Sequence, residues 1–133
     1  MPPLLETEEL RKVYRGRAVV NGVSFNVTQS EIVGLLGPNG AGKTTSFRMT
    51  VGLIVATSGN VRFDGADVTG LPMFKRARLG MGYLPQESSV FRRMSVRDNI
   101  LAILETTDLS RAARRKRLDE VLEQLHIEKL RTR

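Results

Sequence analysis

The sequence predicts an α/β fold in which a strand, a glycine-rich loop and a helix follow one another directly. The apolar run Ile32–Leu36 is typical of a short strand that is buried on both faces of a parallel sheet. The loop Gly37–Thr44 follows it, and the proline-free segment Gly42–Val51, which is followed by Gly52, predicts a helix. Near residue 87 the pattern changes from short strands and turns to helical periodicity.

Composition limits the class of protein. The chain has 133 residues, of which 41% are hydrophobic and 26% are charged, as in one water-soluble globular domain. Because it has no cysteine, disulfides, thiolate metal sites and a thiol nucleophile are excluded. Its start lacks the basic flank and apolar run of a secretory signal, and no apolar run approaches the roughly 20 residues of a membrane helix. We therefore expect a cytoplasmic protein whose membrane contacts go through a partner.

Further strands and turns are predicted from period-two alternation and from turn residues. They are a strand over Leu5–Tyr14, a strand, turn and strand over Ala18–Val27 with the turn at Asn21-Gly22, a turn at Thr57–Asn60, a hairpin through Val61, Phe63 and Asp64-Gly65, and a strand over Met81–Leu84.

Two helices are predicted in the second part of the chain. Ser95 and Asp98 form a capping pattern ahead of the apolar residues Ile100, Ile103 and Leu104. Ser110 caps the second helix, whose apolar residues at positions i, i+3, i+4 and i+7 are Leu118, Val121, Leu122 and Leu125.

The glycine-rich loop carries the chemistry. It matches G-x-x-x-x-G-K-[ST] at every fixed position, with the residues Gly37, Pro38, Asn39, Gly40, Ala41, Gly42, Lys43 and Thr44. Backbone N–H groups can wrap a polyphosphate only where glycines allow positive φ and close approach. Lys43 supplies a cation for the β- and γ-phosphates, the Thr44 hydroxyl is a Mg²⁺ ligand, and Thr45 adds a second hydroxyl. The loop predicts ATP or GTP binding, and it lacks the Gly-x-Gly-x-x-Gly of a dinucleotide site.

The motifs GPNGAGKTT and YLPQE, together with Tyr14, resemble the ATP-binding subunit of ABC transporters. Within that family, EIVGLLGPNGAGKTT, YLPQESSVFRRMSVRDNI and HIEKLR are most similar to the ATPase of bacterial lipopolysaccharide export. The ATPases of branched-chain amino acid importers are the nearest alternative.

The resemblance implies a P-loop NTPase of the ABC ATPase type. Residues 1–87 would be its nucleotide-binding α/β part, with an N-terminal β subdomain, and residues 88–133 would begin the helical subdomain. The cofactors would be ATP and Mg²⁺. Tyr14 would stack on adenine, and Gln86 would reach Mg²⁺ and the attacking water. Two copies would dimerise on ATP.

The resemblance also implies a membrane permease as partner. Ser88–Asn99 would lie beside the groove that receives the permease's coupling helix, with Phe91, Arg92 and Arg93 as contacts, because aromatic residues and arginine are favoured at interfaces. The protein would then sit on the inner face of the cytoplasmic membrane without inserting into it.

Three features that such an ATPase needs for hydrolysis do not occur in these residues. They are a Leu-Ser-Gly-Gly signature, a catalytic-loop histidine further on, and an apolar strand that ends in Asp-Glu, since Asp119-Glu120 follows a basic run in a helix. We therefore expect these residues alone to be inactive in hydrolysis. The resemblance also implies that the strands flanking Ile32–Leu36 are absent from these residues, so we expect an uncovered strand edge and poor stability or self-association. A truncated module that binds nucleotide without turnover is the alternative function. His126 is expected to be a helix-end surface residue.

The densest positive charge lies in the segment 111–117, which contains Arg111, Arg114, Arg115, Lys116 and Arg117. Such a segment could neutralise nucleic-acid phosphates or anionic lipid. Because runs of surface charge are usually solvated, we interpret it as a solvated helix face and expect no nucleic-acid partner.

Overall fold

The computed structural model describes residues 1–38 and 40–133. The chain divides into two compact units, Met1–Tyr83 and Leu84–Arg133.

The first unit is built on a four-stranded antiparallel sheet. Its strands are β1 (Leu5–Tyr14), β2 (Arg17–Val27), β3 (Ser58–Phe63) and β4 (Ala66–Asp67), in the spatial order β2-β1-β3-β4. Two-residue turns close both hairpins, at Arg15-Gly16 and at Asp64-Gly65, and all four turn residues have positive φ. Two consecutive positive φ angles match the right-handed twist of the flanking strands. The predicted strand over Leu5–Tyr14 and the predicted hairpin at Asp64-Gly65 are confirmed.

Two predicted turns are wrong, because the glycines in them serve irregular strand pairing. Asn21-Gly22 lies inside the continuous strand β2, where the register with β1 shifts near Leu10. Of the segment Thr57–Asn60, only Thr57 lies outside β3, which begins at Ser58. Gly59 has φ of +92° and lies against the backbone of Glu9, where a Cβ would collide. A glycine with positive φ marks a β-bulge as readily as it marks a turn.

The first unit also contains two helices, of which the first packs against the sheet and the second contacts the first. Helix α1 (Lys43–Val51) confirms the predicted helix, and Gly52 ends it with φ of +90°. Helix α2 (Met73–Arg78) was not predicted, because its six residues contain too few apolar positions for a helical period. The buried core joins residues of three strands, of α1 and of the loop after β4, namely Leu10, Val20, Met49, Val61 and Val68.

The two other predicted strands, Ile32–Leu36 and Met81–Leu84, are not strands in this structure. Ile32 is 98% exposed and Leu36 is 95% exposed. A strand is defined by its hydrogen bonds to a neighbour, and among the described residues neither segment pairs with a strand. An apolar run without a pairing partner therefore does not form a strand.

A buried arginine fixes the end of α1. Arg76 is only 4% exposed, and its guanidinium donates to the carbonyls of Met49 and Thr50 at 2.9 and 2.8 Å. It also donates to Leu71 and Thr69, at 2.8 and 2.9 Å. Burial lowers the pKa of Arg76, and the charge of Asp67 opposes that shift. The last carbonyls of a helix lack intrahelical partners, so a cation there satisfies them and complements the helix dipole.

The second unit contains the helices α3 (Val96–Leu104) and α4 (Arg111–Gln124) and a short 3-10 helix (Glu128–Leu130). Both predicted caps are confirmed: the Ser95 hydroxyl accepts from the Asp98 amide at 3.1 Å, and the Ser110 hydroxyl accepts from the Ala113 amide at 3.2 Å. Leu118 and Leu122 are buried, whereas Leu125 is exposed. No described helix is long and apolar enough to span a bilayer.

Candidate phosphate-binding site

The glycine loop lies directly before the N-terminus of α1. Gly40 and Gly42 both have left-handed backbone, with φ of +84° and +86°. The amide of Ala41 donates to the carbonyl of Pro38 at 3.1 Å, which closes the loop on itself. Asn39, a predicted loop residue, lies outside the described residues. Gly37 and Pro38 are exposed at the start of the loop.

Gly42 is the loop position where only glycine fits. A Cβ there would lie 2.6 Å from the carbonyl oxygen of Val19 and 2.9 Å from the Val20 side chain. Both contacts are too short, and positive φ adds strain for any side chain. Gly42 therefore allows the loop to lie in close contact with Val19 and Val20 of β2.

The beginning of α1 is a set of hydrogen-bond donors. The first intrahelical bond is donated by the amide of Ser46 to Gly42, at 2.8 Å, so the amides of residues 43–45 precede it. No side chain caps this end, and its first turn contains no acidic residue. These donors and the positive end of the helix dipole favour an anion.

A concavity of about 210 Å³ lies at this helix end. It is lined by Val19, Gly40, Gly42, Lys43, Thr44 and Thr45. The Lys43 ammonium donates to the carbonyl of Gly37, so it lies over the loop at the edge of this space. Lysine, two hydroxyls and backbone amides are donors that suit phosphate oxygens.

The residues also fit Mg²⁺ in the way the sequence predicts. No cluster of three His, Cys, Asp or Glu side chains that could hold a metal occurs in 1–38 and 40–133. Mg²⁺ usually keeps several waters and takes few protein ligands beside substrate phosphates. The exposed Thr44 hydroxyl is a suitable single ligand of that kind.

Tyr14 lies at the end of β1, paired with Arg17 across the hairpin. Its ring is 47% exposed, and the Lys12 ammonium lies 5.0 Å from the ring centroid. Lys12 also donates to the carbonyl of Val55 at 2.7 Å. A half-exposed aromatic ring is a group on which a base can stack, and the cation over it favours the ring's present position.

Gln86 belongs to the second unit, where it is exposed at a bend. His126 is exposed just after α4, with φ of +56°.

The predicted permease contacts form an exposed turn in the second unit, Phe91–Ser95. Phe91 is 61% exposed, and Arg92 and Arg93 are exposed beside it. The amide of Met94 donates to the carbonyl of Phe91 at 3.0 Å, which closes the turn.

Three residues with structural roles near these sites were not identified from the sequence. The Val19 backbone supports Gly42, Arg76 caps the helix that begins at the loop, and Asn99 bonds to the Phe91–Ser95 turn. A backbone carbonyl has no sequence signal. Arg76 stands in a basic run that resembles a solvated surface, and the only signal for Asn99 was its position in the first turn of a capped helix.

The chain has sequence relatives among known proteins. The chain is 53% identical over 131 residues to the lipopolysaccharide export system ATP-binding protein LptB of Acidithiobacillus ferridurans, covering 98% of this chain and 54% of that protein. It is 53% identical over 128 residues to LptB of Escherichia coli strain K12, covering 53% of it. It is 57% identical over 118 residues to a probable ABC transporter ATP-binding protein of Azorhizobium caulinodans, covering 42% of it. The chain thus spans about half the length of these relatives.

Solved structures agree with the sequence relatives on the fold. The ADP conformation of MJ1267, an ATP-binding cassette of an ABC transporter, superimposes with a TM-score of 0.84 at 23% identity, over all of this chain and 57% of that one. The ATP-binding subunit of another ABC transporter gives 0.81 at 26% identity, over 97% and 53%. The predicted fold class, a partial P-loop ATPase domain of this type, is confirmed. The ABC transporter family profile matches residues 20–133, and the chain belongs to that family.

Proposed function

We propose that these residues are the nucleotide-binding portion of an ATP-binding subunit that powers lipopolysaccharide export. The observation that carries nucleotide binding is the glycine loop on an uncapped helix N-terminus that has no acid in its first turn. The relatives support the transported substrate, since two lipopolysaccharide export ATP-binding proteins are 53% identical to this chain over nearly its whole length.

In this proposal the ATP phosphates lie on the amides of residues 43–45. The Lys43 ammonium exchanges its bond to Gly37 for phosphate oxygens, and Thr44 holds Mg²⁺. Bound Mg²⁺ neutralises charge on the β- and γ-phosphates. Tyr14 would stack on the adenine, and Gln86 would reach Mg²⁺ and the attacking water.

Hydrolysis belongs to the complete protein in this proposal. Two copies hold ATP between them, and closure of the pair moves the permease. Residues 1–133 alone bind Mg-ATP without turnover, because they contain neither Leu-Ser-Gly-Gly nor an apolar strand that ends in Asp-Glu.

Equilibrium binding of Mg-ATP tests the phosphate site. Lys43→Ala removes the ammonium and should weaken binding at least tenfold, because charge-assisted bonds to phosphate are about twice as strong as neutral ones. Lys116→Ala, which removes an exposed lysine in α4, is the control. Equal affinity of the Lys43 and Lys116 variants would rule out the phosphate site.

The permease is the proposed partner of Phe91, Arg92 and Arg93, and it would hold the protein at the inner face of the cytoplasmic membrane. Co-purification from the natural gene locus tests this contact. Joint replacement Phe91→Ala and Arg92→Ala should release the permease, whereas Arg115→Ala, at an exposed arginine of α4, should not. Retention of the permease by the double variant would count against the contact.

The substrate is tested with the complete transporter in vesicles. Lipopolysaccharide should change its ATPase rate, and branched-chain amino acids should not. The opposite result would assign the protein to an amino acid importer instead.

A further inference from the structure

The Phe91–Ser95 turn is held by a single side chain, that of Asn99. The Asn99 Oδ1 accepts from the amide of Phe91 at 2.8 Å. Its Nδ2 lies within hydrogen-bonding distance of three carbonyl oxygens, those of Phe91, Met94 and Ser95, at 3.1, 3.2 and 3.0 Å. One amide thus joins both ends of the turn.

Little else holds the shape of this turn. Phe91 is 61% exposed, the two arginines that follow are exposed, and no residue of α3 is buried. Where a surface turn contains no buried residue, its shape depends mainly on its hydrogen bonds. The bond from Met94 to Phe91 closes the turn but does not attach it to the helix.

Asn99 can act as an anchor because the start of α3 is itself fixed. The amide of Val96 donates to the carbonyl of Arg133 at 2.6 Å, and the amide of Arg97 donates to that of Arg131 at 3.1 Å. The Ser95 hydroxyl accepts from the amide of Asp98 at 3.1 Å. All three first amides of the helix therefore have partners, which holds the first turn of α3, and Asn99 with it.

We propose that Asn99 is a positioning residue for the permease contact. It holds the Phe91–Ser95 turn in one shape, so that Phe91 and the arginines meet the permease already ordered. Ordering an interface in advance removes the entropic cost that a loose turn would pay on binding. This inference rests on the proposed contact of Phe91 with a permease.

Hydrogen exchange at the Phe91 amide tests the clamp directly. Phe91 is exposed, and its amide is protected through Asn99 Oδ1. In Asn99→Ala, exchange of this amide should become at least tenfold faster, whereas Asn60→Ala should leave it unchanged. Asn60 is a suitable control because it is an exposed asparagine in β3. An unchanged exchange rate in Asn99→Ala would overturn the proposal.

Affinity for the permease tests the role. In the natural protein, Asn99→Ala should weaken permease binding about tenfold. A loss of this size corresponds to the net contribution of about one hydrogen bond. Asn99→Asp provides a second variant of nearly the same size, and it should weaken binding as well because its carboxylate would face three carbonyl oxygens. Asn60→Ala should bind normally. Normal affinity of both Asn99 variants would overturn the proposal.

A double-mutant cycle separates positioning from general destabilisation. If Asn99 acts through the turn, Asn99→Ala should weaken permease affinity less in a Phe91→Ala background than in the natural protein, because one of the contacts that Asn99 positions is already lost. Additive losses would instead indicate a structural role and would overturn the proposal. If Phe91→Ala alone left binding unchanged, the proposed contact would fail and this inference with it. If Phe91→Ala weakened binding but Asn99→Ala did not, only this inference would fail.

Discussion

Strand β1 and the segment Ile32–Leu36 lie in the same unit, and both carry apolar residues suited to a core. In β1, Leu10 is fully buried and the strand pairs with β2 and β3. In the segment, Ile32 is 98% exposed, and no strand among the described residues pairs with it. Strand β1 meets β2 through a two-residue turn, whereas a parallel strand depends on neighbours that arrive by long crossovers. An apolar segment therefore forms a strand only where another strand is available to pair with it.

Truncating one apolar side chain to alanine in each of these two regions should give the largest difference in the free energy of unfolding. Leu10→Ala should lower the free energy of unfolding by about 2–5 kcal/mol, because it leaves a cavity in a packed core. Ile32→Ala should change it by less than about 0.5 kcal/mol, because the side chain is exposed. Urea denaturation of both variants measures the difference. Comparable losses would mean that Ile32 is packed in solution.

Arg76 joins the loop after β4 to the end of α1 through its hydrogen bonds. Its removal should have the next largest effect on the free energy of unfolding. Arg76→Gln should cost about 3 kcal/mol, because it leaves two buried and two partly buried carbonyls with poorer partners. Arg78→Gln, at an exposed position on the same helix, should cost almost nothing. Thermal unfolding followed by circular dichroism compares them, and an unaffected Arg76 variant would show that water can replace the guanidinium.

The N-terminal cap of α4 in the second unit is a single local hydrogen bond, so its loss should lower stability less than the loss of Arg76. Ser110→Ala should lower stability by about 1 kcal/mol, because the Ala113 amide loses its acceptor. Ser110→Asp keeps an acceptor and should restore most of the loss. The readout is the α4 helical signal during urea unfolding, and equal behaviour of the two variants would indicate that the cap contributes nothing.

The smallest effect concerns pH at the edge of the sheet. The Thr69 hydroxyl and amide hold the pKa of Asp67 below its ordinary value of 3.8. The carboxylate therefore stabilises the fold above that value, and the contribution is lost as pH falls through the lower folded pKa. Asp67→Asn should flatten this acid dependence, whereas Asp64→Asn controls for the loss of one negative charge. Parallel acid profiles of the wild type and the Asp67 variant would contradict this assignment.

Prediction from sequence succeeded where a structure is local. The cap residues Ser95 and Ser110, the helix after Lys43 and the turn at Asp64-Gly65 each depend on a few neighbouring residues, and each was found. The errors at Asn21-Gly22 and Gly59 have one cause, since positive φ serves a bulge as well as a turn. The functional roles of Tyr14, Gln86 and Phe91 remain predictions.

The sequence by itself determined the phosphate loop, the helix that follows it and the family, because these depend on glycines, a lysine and hydroxyls at fixed spacing. Only the tertiary structure decided which apolar runs become strands, that Arg76 closes the end of α1, and that Asn99 holds the Phe91–Ser95 turn. Those outcomes depend on hydrogen bonds, and a hydrogen bond between residues distant in the chain, or to a backbone carbonyl, leaves no pattern in the sequence.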